Sequence, residues 1–156
     1  MKLHLLAVGT RPPDWAAAGF NDFARRMRAP FSLDLTEIPL AKRRRGEPPD
    51  RAIAAEAGRL RDAVPAGAVT VALDPKGGAW TTEELARRLG SWRDESRDVA
   101  FLVGGPDGLD DATRSAADAV WSLGPLTLPH MLVRVIVAEQ LYRAWSILRN
   151  HPYHRG

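Results

Sequence analysis

Apolar positions along the chain recur in two alternating rhythms. Residues 2–9 form an apolar run that ends in Gly9, a strand signal. Pro13 suits the first turn of a helix, and Ala16, Phe20, Phe23 and Met27 follow it at helical spacing. Between 31 and 39 the period becomes two, with Phe31, Leu33, Leu35 and Ile38 set among polar residues, which predicts a strand with one wet face. Residues 50–64 return to the helical rhythm, with Ile53, Ala57, Leu60 and Val64 on one side. A buried-type strand follows at 68–74. Thr81 and Glu84 then form a capping box for a helix continued by Leu85, Leu89 and Trp92. A strand at 98–105, a short helix at 110–118, a strand at 119–123 and a long helix at 131–149 complete the pattern.

Strand and helix units alternating at this length imply an α/β fold, a mainly parallel sheet with helices on both faces. Ligands of such sheets bind beyond the carboxyl ends of the strands. Here those ends are Gly9-Thr10, Leu73-Asp74, Gly104-Gly105 and Leu123-Gly124, the last three being natural neighbours. No repeat or linker interrupts the pattern, and 156 residues make one domain, 1–156, burying about 70% of its unfolded surface.

The long helix departs from the usual single apolar face. Val133, Val137, Leu141, Ala144 and Leu148 form one stripe, and Val135, Ala138, Tyr142 and Trp145 a second. Only Glu139, Arg143, Ser146 and Asn150 make a polar one. Two apolar faces point to the sheet on one side and a second subunit on the other, or to a helix sunk in its own core.

Composition narrows the function classes. The chain has no Cys, which excludes disulfides, thiolate zinc sites and cysteine nucleophiles. A net charge of +3 favours anionic partners such as RNA without requiring one. The apolar run at 3–8 is too short for a signal-peptide core, and no segment approaches the ~20 apolar residues of a membrane span. A soluble, cytoplasmic protein is expected.

Four groups could carry chemistry. Gly104-Gly105-Pro106-Asp107-Gly108 is either a turn that a ligand approaches closely or a plain strand-to-helix connector. It is not GxGxxG, and no Walker loop occurs, so a nicotinamide or nucleoside-triphosphate site has little support. Gly124-Pro125-Leu126-Thr127-Leu128-Pro129-His130 offers leucine faces and free backbone groups to a flat heterocycle such as adenine, or serves as a rigid lead into the helix. His130, His151, Tyr153 and His154 lack an acidic or Cys partner nearby, so they fit a proton acceptor or an aromatic platform for an RNA base better than a metal site. Lys42-Arg43-Arg44-Arg45 is a mobile basic loop, either simply solvated or in contact with phosphates.

Three segments carry a resemblance that covers the whole chain. FLVGGPDGL, SLGPLTLPHMLVRVIVAEQLYRAWSILRNHPYHRG and the opening MKLHLLAVGTRPPDW closely resemble the ribosomal large-subunit methyltransferase H family, small SPOUT-class enzymes. The resemblance implies a C-terminal deep trefoil knot, formed by roughly 100–156, and a homodimer. It implies S-adenosylmethionine as methyl donor, with no metal. The implied substrate is N3 of a pseudouridine in helix 69 of 23S rRNA within the assembled ribosome; neither DNA nor a membrane is implied. By position, Leu73, Gly104, Gly105, Leu123, Gly124, Pro125, Leu126, Thr127, Leu128 and Pro129 would hold the donor. Tyr153, His154 and Arg155 would reach the partner subunit's donor site, with Arg143 and His130 near it. His154 or His130 would take the proton, Arg143 or Arg155 would stabilise the developing anion, and Tyr153 would orient the base. Lys42, Arg43, Arg44, Arg45 and Arg155 would contact RNA. The rival is a non-catalytic RNA-binding module that uses the basic loop and tail but not the two Gly/Pro loops.

Overall fold

The computed structural model describes all residues, 1–156. The elements run β1 (Lys2–Val8), α1 (Asp14–Arg26), β2 (Ser32–Ile38), α2 (Asp50–Ala63), β3 (Val69–Gly78), α3 (Thr82–Asp94), β4 (Val99–Val103), α4 (Asp111–Ala116), β5 (Ala119–Trp121) and α5 (His130–Leu148), then a 3-10 turn at Pro152–Arg155. The five strands form one sheet, ordered β2-β1-β4-β3-β5, and every pairing is parallel.

The alternation of side chains along β1 divides the core. Leu3, Leu5 and Ala7 join a large cluster with residues of α1, α3 and α5, while Leu6 and Val8 join a smaller one with Leu60 of α2. Helices thus cover both faces. All five residues of β4, the central strand, are buried. Phe101, at 0% exposure, is worth about 2–3 kcal/mol by burial alone. Edge strand β2 keeps Ser32, Asp34 and Thr36 in solvent and buries Leu33 and Ile38, the wet-faced strand that its period implied.

Side-chain caps begin α3 and α4. Thr81 Oγ1 accepts from the Glu84 amide at 3.1 Å, and a Glu84 carboxylate oxygen accepts from the Thr81 amide at 2.7 Å. Asp110 caps α4 through the Thr113 amide at 2.8 Å.

One strand runs longer than expected, and α5 shows how its second apolar stripe is used. The strand expected at 68–74 runs on to Gly78, past Pro75, with a shift of register against β5. Gly77 allows this: a Cβ there would lie 2.6 Å from the Val120 carbonyl oxygen, so only a glycine lets the backbones approach so closely. On α5, Ala138, Tyr142 and Trp145 of the second apolar stripe are already buried within the chain. Tyr142 meets Phe23 of α1 and Tyr153 of the tail, and Trp145 meets His151. The helix lies between α1 and α3 on the sheet, and that placement covers most of its circumference. No helix is long and apolar enough to cross a membrane.

Candidate active site

The carboxyl ends of the adjacent strands β4, β3 and β5 open onto a cavity of about 250 Å³. The turn after β4 and the 123–130 loop after β5 line it, and β3 contributes Leu73, Asp74 and Pro75 from within the strand. Of the residues expected to hold a donor, Leu73, Gly104, Gly105, Leu123, Gly124, Leu126, Thr127 and Leu128 line the cavity. Pro125 and Pro129 do not; both are exposed, and Pro129 sits immediately before α5. Their contribution is stiffness, since each proline fixes one backbone angle of the loop.

The glycine turn closes on itself. A Cβ at Gly104 would stand 2.5 Å from the Gly108 carbonyl carbon, and the Gly108 amide donates to the Gly105 carbonyl at 3.0 Å. Gly104 therefore answers first to the fold of the turn, and the cavity wall is that turn's inner side. In the opposing loop Ser122, 5% exposed, bonds through its hydroxyl to the Gly124 amide at 3.1 Å.

Sequence reasoning did not single out Val103, Trp121 or Val133 as lining residues, and marked Asp74 only as a strand end. Trp121 is stacked on Trp80 at 5.5 Å, and the Arg88 guanidinium lies 4.1 Å from the Trp80 ring centre. Asp74 is nearly buried and paired on both oxygens, with Arg114 at 3.1 Å and the Lys76 amide at 2.9 Å. A carboxylate closing an apolar strand was the available signal. No Lys or Arg lines the cavity.

His130 opens α5 and faces the cavity. Burial, and then the positive charge of Arg134, push its pKa below the ordinary value, so the ring is neutral at pH 7 and can accept a proton. Arg134 is 1% exposed. Its guanidinium donates to the Gly9 carbonyl at 2.6 Å and to Glu37 at 2.9 Å, which fastens the first turn of α5 to the ends of β1 and β2.

The other expected catalytic groups lie elsewhere. Arg143 is more than three helical turns beyond His130, roughly 20 Å along the axis. Its Nε donates to Glu139 at 2.8 Å, its Nη1 to the Gly156 carbonyl at 2.9 Å, and its guanidinium covers the Tyr153 ring at 4.8 Å. The Tyr153 hydroxyl donates to the same Glu139 oxygen at 3.1 Å. Burial first, then the Glu139 charge, raise the Tyr153 pKa. The hydrogen bond from Arg143 to Glu139 holds the guanidinium charged. His154 Nδ1 is buried without a partner, and Arg155 is exposed. Within the chain, then, Tyr153 and Arg143 form a tail cluster, with His154 beside it in sequence, separate from His130 and the cavity.

Lys42, Arg44 and Arg45 are exposed, whereas Arg43 is turned inward. Its guanidinium donates to both oxygens of buried Glu56, at 2.9 and 3.2 Å, and to Asp107 at 2.7 Å. These bonds raise its pKa further.

Comparison with known proteins places this geometry. Residues 1–154 match the family model described as "Predicted SPOUT methyltransferase". The chain is 54% identical over 155 residues to Ribosomal RNA large subunit methyltransferase H of Thioalkalivibrio sulfidiphilus, covering 99% of each. It is 52% identical over 155 residues to the protein of that name from Paraburkholderia xenovorans, again covering 99% of each. Among solved structures, a probable methyltransferase from Bordetella pertussis Tohama I superposes with a TM-score of 0.57 at 18% identity, covering 92% of this chain and 95% of that one. A Legionella pneumophila protein solved with bound SAM gives 0.51 at 14% identity, covering 92% of this chain and 66% of that one. A five-stranded parallel α/β sheet, a SPOUT family model matched over residues 1–154 and full-length identity above one half lead to one assignment: the chain belongs to the ribosomal RNA large subunit methyltransferase H family of SPOUT methyltransferases.

Proposed function

We propose that the protein transfers a methyl group from S-adenosylmethionine to N3 of a pseudouridine in helix 69 of 23S rRNA, on the assembled ribosome. The observation that carries this reading is the cavity at the ends of β3, β4 and β5, in a chain 54% identical to a ribosomal RNA methyltransferase. The residues present fit the donor. Leucines at 73, 123, 126 and 128 supply apolar walls for a flat base, and the turns at 104–105 and 124–128 supply backbone groups for its edge. A wall without Lys or Arg does not repel a sulfonium cation. When bound, the donor supplies an already activated methyl carbon, so neither a metal nor a covalent nucleophile is needed.

The chain's residues then have two tasks. They hold the base nitrogen in line with the methyl carbon at about 3–3.5 Å, and they remove the N3 proton. Neutral His130, facing the cavity, is placed to accept it. Cations of the tail, Arg143 or Arg155, stabilise charge on the neighbouring carbonyls of the base, Tyr153 orients the ring, and His154 is the alternative acceptor. Because α5 separates the tail from the cavity of its own protomer, the reading includes a homodimer. In such a dimer each tail reaches its partner's cavity. The knot at roughly 100–156 belongs to the same proposal, as do phosphate contacts from Lys42, Arg44 and Arg45.

The test uses purified protein and ribosomes that lack the modification. Calorimetry should show S-adenosylmethionine binding, and labelled methyl should appear in helix 69 of ribosomes far faster than in naked 23S rRNA. A folded protein that binds RNA but not the donor would leave only the non-catalytic module. Single-turnover rates of His130→Ala and His154→Ala, followed against pH, identify the acceptor. Full rates for both would remove histidine from the mechanism.

A further inference from the structure

The turn at 104–108 has two sides. Gly104, Gly105, Pro106 and Gly108 face the cavity, while Asp107 does not line it and receives Arg43 Nε at 2.7 Å. Arg43 comes from the basic loop, and its Nη groups grip Glu56, whose side chain is 3% exposed. The same carboxylate accepts from the Ala41 amide at 3.0 Å, and Arg43 also donates to the Ala41 carbonyl at 3.0 Å. A Cβ at Gly105 would touch Val8, Leu40 and, at 3.5 Å, Glu56. The root of the basic loop, the buried Glu56 and the outer side of the cavity wall are therefore one bonded unit.

We infer that Arg43 is a positioning residue, which through Asp107 couples the solvent-exposed cations Lys42, Arg44 and Arg45 to the donor cavity. The inference rests on the proposed donor site and deepens it. No residue of 41–47 lines the cavity, and the Arg43–Asp107 pair is the ion pair that joins the basic loop to the turn forming its wall. The Arg43–Asp107 pair is partly solvated, at 27% and 35% side-chain exposure, and so has the modest strength of a tie that can yield. A phosphate drawing on the loop and a donor pressing on the wall bias the same pair, and the bias is reciprocal.

Asp107→Asn keeps the shape and removes the charge, leaving the buried Arg43–Glu56 pair intact. It should weaken S-adenosylmethionine binding about three- to fivefold by calorimetry at an unchanged Tm, and Asp107→Glu should restore it. Equal affinity of Asp107→Asn and wild type overturns the inference. Wild-type protein without affinity for the donor overturns the proposed function instead. The wild-type chain gives an independent reading by hydrogen exchange: adding the donor should slow exchange at the 43–47 amides. Unchanged exchange there, in protein that binds the donor, overturns the coupling even if the variant proves unstable.

Discussion

The two ends of α5 are built differently. At the head, Arg134 is buried and bonded to a backbone carbonyl and a carboxylate on two strands, so His130 and the loop before it are fixed to the sheet. At the tail, Tyr153 and Arg143 share one carboxylate, Glu139, and the contacts are ring edges and half-exposed side chains. The head is anchored through the core, whereas the tail is held by partly exposed polar and ring-edge contacts. A rigid cavity with a less firmly held arm is what a site needs if its last groups arrive from a neighbour.

Substitutions should separate the two ends, beginning with the largest effect. Arg134→Met removes the charge that satisfies Glu37 and the Gly9 carbonyl, and should lower unfolding free energy by about 3 kcal/mol in denaturant titrations. Gly104→Ala forces the 104–108 turn open and should abolish measurable donor binding by calorimetry, with a smaller loss of stability. Tyr153→Phe removes one half-exposed hydrogen bond, and should cost about 1 kcal/mol or less in stability while slowing methyl transfer more than it weakens donor binding. If Tyr153→Phe proved as damaging to the fold as Arg134→Met, the contrast between head and tail would fail.

The smallest effect is a pH dependence. His130 has a folded pKa below its ordinary 6.5, so between those two values the unfolded chain binds a proton that the folded one does not. Stability therefore falls as pH drops below about 6.5 and levels off under the folded pKa. His130→Gln should remove that part of the slope, measured as the difference between the two proteins' unfolding free energies at pH 7.5 and 5.

Much of this molecule was legible in its pattern. Periodicity located all five strands and all five helices, and three of the strand ends it marked, at 73–74, 104–105 and 123–124, line one cavity. The extension of β3 was hidden because Pro75 signals a stop, while Gly77, which reopens pairing with β5, carries no periodic mark. Arg134 and Glu56 did leave a trace. Each falls on an apolar stripe, Arg134 with Val137 and Ala138, Glu56 with Ala52 and Leu60. A charge on such a stripe demands a buried partner, but spacing along one helix cannot say which distant residue supplies it. Nor could it show that Arg43 differs from its three basic neighbours, because that difference is made by Glu56 and Asp107, far away in sequence.

Trp121 forms part of the cavity wall with its indole stacked on Trp80, itself under a guanidinium. Under the proposed function, an adenosyl group bound in the cavity would change the polarity around both indoles. Its ultraviolet emission, five tryptophans in all, should then shift on titration with S-adenosylmethionine, and an unchanged spectrum in protein that binds the donor would place the donor away from Trp121.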